Sequence, residues 1–126
     1  MKVLQVIDQA FRTTTEEQDD TILWLTQSMR GAGADLALLL CGHGVYYALQ
    51  QQRQPALSLG HWQQKEPADI ARDISNLIAS GVPVYAITDD AEERGLCGQP
   101  FISGVQAIRR QAIVDLYESA DQVWQW

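Results

Sequence analysis

The chain has 126 residues, 46% of them hydrophobic, and a net charge of −7. That length predicts one domain over residues 1–126. The acidic balance, with no basic cluster beyond Arg109–Arg110, argues against a direct nucleic-acid footprint. The longest apolar run, Leu36–Cys41, is too short to cross a bilayer.

The first segment, Lys2 to Asp8, is apolar with β-branched content and reads as a strand. It does not resemble a signal peptide, so a cytoplasmic setting with reduced thiols is expected. Thr13, Thr14 and Thr15 are candidate N-caps. Glu16, Glu17, Asp19 and Asp20 then place negative charge in the opening turns of a helix. Ile22, Leu25 and Met29, with Trp24 beside them, form its apolar stripe, and Gly31 and Gly33 end it.

Asp35 to Cys41 is apolar at nearly every position, the mark of a strand buried on both faces. Gly44 to Gln54 reads as a short helix and Gln50 to Glu66 as a long loop holding Pro55, Gly60, His61 and Trp62. Pro67 opens a helix running to about Ser80, with Ile70, Ile74, Leu77 and Ile78 as core stripe and Gly81 as its cap.

Val82 to Ile87 is a third strand. A helical turn follows over Asp90 to Gly95, then a strand over Gly104 to Ile108. A helix spans Arg109 to Ala120, with Ile113, Leu116 and Tyr117 inward. Val123 to Trp126 closes as an aromatic strand. This alternation predicts an α/β domain with a mainly parallel, flavodoxin-like sheet of about five strands and helices on both faces.

Both cysteines fall just past apolar strands, where such sheets meet ligands. Cys41 precedes a helix start, so the dipole would stabilise its thiolate, with His43 as base or cation; the alternative is plain packing of a buried thiol. Cys97 lies three residues after Arg94, whose guanidinium would favour the thiolate; the alternative is an inert loop cysteine. Asp8 ends the first strand, beside Cys41 if the two strands are neighbours. His43 and His61 meet only if the long loop folds back. Asp89 and Asp90 read as caps of the short helix, and Arg94–Gly95 as its end. Trp124 and Trp126, at period two on the last strand, suit either an oligomer interface or core packing, with Trp62 as a further interface candidate. Two cysteines and two histidines, widely spaced, make no zinc site, and no cofactor or metal is expected.

The run Val84–Gln99 (VYAITDDAEERGLCGQ), followed by Gly104–Ile108 (GVQAI), a helix and a terminal VWQW, resembles the DsrE/DsrF/DsrH family. It is most similar to the DsrH/TusB branch, and Leu38–Leu49 (LLLCGHGVYYAL) is compatible with it. The resemblance implies a cytoplasmic subunit of a sulfur relay. Such subunits form homo-oligomers, or hetero-oligomers with DsrE/DsrF-like partners and sulfur-carrier proteins. They pass persulfide sulfur between cysteines, toward tRNA 2-thiolation or sulfur oxidation. Thr88, Asp89 and Asp90 stand where the catalytic subunits of the family carry their cysteine, which implies an assembly role closer to the H/B branch.

Three functions follow as expectations. The chain carries persulfide sulfur on Cys41 or Cys97, with Asp8, His43 and Arg94 as binding residues. Or it is a non-catalytic scaffold of the same fold. Or it is a small-ligand-binding flavodoxin-like domain, the weakest of the three, since Asp8–Arg12 contains no phosphate-cradling glycine.

Overall fold

A computed structural model describes residues 1–11 and 20–126. The strand β1 (Lys2–Ile7) pairs in parallel with β2 (Asp35–Leu40), in the register Lys2 with Asp35 through Ile7 with Leu40. Parallel neighbours need a crossover, and α1 (Thr21–Gly31) supplies it. Successive β2 residues point to opposite faces, and all from Leu36 to Leu40 are buried, so both faces are covered.

The helix α1 starts later than the threonine run suggests. Its N-cap is Asp20, whose carboxylate accepts from the N–H groups of Ile22 and Leu23 at 2.9 and 3.2 Å. The proposed caps Thr13–Thr15, and Glu16, Glu17 and Asp19, lie outside the described residues. The buried residues of the helix are Ile22, Leu23 and Thr26, Met29 packs against the same core, and Trp24 is 57% exposed.

After β2 the chain forms a 3-10 helix over Gly42–Ala48. It is shorter than the helix expected to reach Gln54, because Leu49 turns away to bridge Phe101. The expected loop contains a small hairpin, β3 (Ser58–Leu59) and β4 (Trp62–Gln63), turning at Gly60. The helix α2 (Ile70–Ala79) opens at Asp69 rather than Pro67, since the Asp69 carboxylate accepts from the Arg72 N–H at 3.1 Å. Ile70, Ile74 and Leu77 are its buried stripe.

Strand β5 (Val84–Ile87) pairs with β2, and α3 (Thr88–Glu93) follows it directly. Strand β6 (Gln106–Ile108) pairs with β5. The expected helix from Arg109 divides into a 3-10 turn, Arg110–Ala112, and α4 (Ile113–Ser119). Strand β7 (Gln122–Gln125) then pairs with β1, closing a five-stranded parallel sheet in the order β6-β5-β2-β1-β7.

One core lies between the sheet and α1, α2 and the first 3-10 helix, gathering Leu38, Tyr47, Ile70, Ile74 and Leu77. The other lies under α4, where Ile113 and Leu116 cover Leu4, Val6, Ala37 and Leu39. Tyr117, expected inward, is exposed. Trp124 and Trp126 pack against the larger core, and the Trp126 Nε1 donates to the buried Gln5 Oε1 at 2.7 Å. Trp62 in the hairpin is exposed. Among the described residues, no helix is long and apolar enough to cross a membrane.

Candidate functional site

Register builds the site. Ile7 aligns with Leu40, and Leu40 with Ala86, so three strands end at one edge of the sheet. Asp8 and Cys41 follow there directly. The Cys41 N–H donates to the Ile7 carbonyl at 3.0 Å, carrying the ladder one step past the strands. The chain then turns sharply. A Cβ on Gly44 would stand 2.2 Å from the Ile7 carbonyl oxygen, so no side chain fits there. This close approach, rather than a ligand's, is what the glycine serves.

Asp90 holds the turn from the other side. Its Oδ2 accepts from the Gly42 N–H at 2.7 Å, and its Oδ1 meets the Arg110 Nη2 at 2.5 Å. Asp89 and Asp90 are therefore not caps, since the residue before α3 is Ile87 and makes no side-chain cap. The acidic helix is paired with the two arginines that follow β6. Arg110 also reaches Glu93 at 2.8 Å, while Arg109 reaches Asp89 at 3.2 Å and Glu92 at 3.0 Å. The Arg110 N–H, ahead of the Arg109 charge, holds the Asp89 carboxyl below its usual range.

Arg94 ends α3 and turns back over the site. Its Nε donates to His43 Nδ1 at 3.3 Å and its Nη1 to the Asp90 carbonyl at 3.0 Å. The ring of His43 stacks on Tyr46, with centroids 6.5 Å apart. Cys41, Asp8, His43 and Arg94 are thus brought together. Cys97 is exposed in the turn beyond Gly95, and the Arg94 guanidinium is committed to His43 and Asp90. His61 is also exposed, in the turn between β3 and β4.

The thiol expectation for Cys41 is overturned in sign. Burial, then the charges of Asp90 and Asp8, push it from 9.0 up to about 11, and only Arg94 pulls the other way. A half-buried sulfur facing two carboxylates loses more than a short helix start returns. Cys41 is accordingly a protonated thiol at neutral pH.

Two neighbours escaped the sequence reading. Tyr117 of α4 stands close enough for the Cys41 charge to raise its phenol, after burial as the larger cause. Asp90 was read by a local capping rule, while its partners lie on other elements. No local spacing signals those partners, since Arg94, four residues on, reaches the Asp90 backbone carbonyl and not its carboxylate. Among the described residues, no group of three or more His, Cys, Asp or Glu side chains is placed to hold a metal ion. A cleft of about 240 Å³ lined by Gln52, Arg53, Gln54, Pro67, Ala68, Asp69 and Ile70 shares no residue with this site.

No known family matches the chain, and no curated protein does. Solved structures do. The chain is similar to the ychN protein of E. coli at 23% identity and a TM-score of 0.75, over 99% of this chain and 98% of that one. It is also similar to MTH1491 of Methanobacterium thermoautotrophicum, a protein of unknown function, at 14% identity and a TM-score of 0.60, again over 99% and 98%. These likenesses show the fold, a five-stranded parallel α/β domain, and carry no activity with them.

Proposed function

We propose that this chain is a subunit of a cytoplasmic sulfur-relay assembly in which Cys41 accepts and hands on persulfide sulfur. The observation that carries the reading is the position of Cys41. It sits at the carboxyl edge of the central strand, with the Arg94–His43 pair alongside. The resemblance along Val84–Gln99 extends the reading to relays serving tRNA 2-thiolation or sulfur oxidation, with DsrE/DsrF-like subunits and sulfur-carrier proteins as partners.

The step is an exchange without net oxidation. The Cys41 thiolate attacks the outer sulfur of a donor persulfide, a new S–S bond forms, and the donor's S–S bond breaks. The proton released by Cys41 balances the one taken up by the departing donor thiolate. The next carrier's thiolate repeats the attack on the Cys41 persulfide.

A second reading, an assembly subunit whose thiol stays at rest, is favoured by the burial and raised pKa of Cys41. Intact mass after incubation with a low-molecular-weight persulfide separates the two. The relay reading expects a gain of one sulfur, absent in Cys41→Ser and retained in Cys97→Ser. A wild-type mass that does not change leaves the assembly reading in its place.

A further inference from the structure

We propose that Asp90 is the positioning residue for Cys41. Its carboxylate, tied at once to the Gly42 N–H and to Arg110, is fixed against the backbone that follows Cys41, with its charge set against the thiolate. This regulation of the site rests on reading Cys41 as the sulfur acceptor.

The argument begins with burial. Asp90 is only 8% exposed, and a carboxylate so placed needs partners for both oxygens. Those partners come from separate segments, the turn after β2 and the turn after β6. Rotating the side chain away would break both bonds, so its charge has a fixed place. The backbone it grips is that of the residue next to Cys41.

The other groups facing the thiol are known. Asp8 comes from the end of β1, His43 from the 3-10 helix, Arg94 from the end of α3 and Tyr117 from α4. Asp8 also opposes the thiolate, but its Oδ2 accepts from the exposed Gln125 amide at 3.1 Å, and no cation pairs with it among the described residues. Asp90 and Arg94 lie four residues apart on one short helix and act on the same sulfur with opposite sign. A single element thus carries both the group that restrains Cys41 and the group that releases it. A shift of α3 in an assembly would change both together.

The test is the pH profile of Cys41 alkylation by iodoacetamide, in full-length Cys97→Ser protein. Asp90→Asn retains an oxygen for the Gly42 N–H and removes the charge. Its profile midpoint is expected about one unit lower, with the rate at pH 8 raised about tenfold. Arg94→Gln is expected to move the midpoint upward. A purely structural role would loosen the turn in either variant and move both profiles the same way. Midpoints that shift together, or an unchanged Asp90→Asn midpoint, overturn the proposal. Should Asp90→Asn fail to fold, as read by far-UV circular dichroism, Arg110→Gln decides: it strips the Asp90 charge of its cation and should raise the midpoint, and an unmoved or lowered midpoint overturns the proposal. Sulfur uptake on the same proteins separates this proposal from the relay reading. Opposed shifts without uptake sustain Asp90's role and sink the relay. Uptake without opposed shifts does the reverse.

Discussion

Two turns in this molecule carry the same ingredients. One is Cys41-Gly42-His43-Gly44 after β2, and the other is Gly95-Leu96-Cys97-Gly98 after α3. Both hold a cysteine directly before a glycine. The first is pressed against backbone, gripped by Asp90 and faced by two carboxylates. The second is exposed, and a Cβ on Gly98 would meet nothing within 4 Å. The residues on either side therefore do not set what a thiol does. The neighbours delivered by distant segments set it.

That contrast breaks first at the glycines. Gly44→Ala drives a methyl into the Ile7 carbonyl, an overpacking expected to cost about 3 kcal/mol. A urea midpoint equal to wild type would show that the first turn yields. The thiols come next. In Cys97→Ser protein at pH 8, native Cys41 should alkylate about a hundredfold more slowly than in the urea-unfolded chain, the ratio that about two pKa units imply. In wild type, exposed Cys97 is modified first. The same shift gives stability a high-pH limb. The folded chain keeps the Cys41 proton to about pH 11, whereas the unfolded chain releases it near 9.0. The contribution is complete below that lower value and lost as pH rises through the upper one. Cys41→Ala should flatten this part of the urea-midpoint profile.

Smaller effects sharpen the comparison. Tyr47, on the 3-10 helix that Gly42 opens, donates from its hydroxyl to the buried Asp20 Oδ2 at 2.7 Å. Tyr47→Phe leaves that carboxylate oxygen short of a donor and should cost about 2 kcal/mol. The first turn would then be shown to depend on α1 as well as on Asp90. Gly98→Ala should cost only about 1 kcal/mol, the strain of its φ of 84° with no clash added. A loss as large as that of Gly44→Ala would erase the distinction.

How much of this was legible depends on distance along the chain. The unbroken apolar run of β2 predicted burial on both faces, and strand order then put Asp8 beside Cys41. Arg94 and Gly95 end α3 as the local rule expects, Gly95 having a φ of 72°. Helical spacing placed Ile22 and Met29 on the core, while Trp24, one or two residues from buried Leu23 and Ile22, falls on the outer side of the helix. Asp90 read as a cap because its partner Arg110 is 20 residues away, beyond any local pattern. The raised thiol of Cys41 depends on several elements converging, α3 and the end of β1 among them, and no window of sequence contains them together.

The Lys2 N–H donates to the Asp121 carboxylate across 119 residues, where β7 joins β1. Ladders of such span close against the largest loop entropy and belong to the late part of folding. Until β7 arrives, one flank of β1 offers unpaired backbone, and the buried Gln5 lacks the Trp126 donor. An unpaired apolar edge is also a template for other strands. Refolding yield should therefore fall as protein concentration rises, and a yield independent of concentration would count against this order of events. The expected period of risk in the life of this chain is the interval in which its first strand waits for its last.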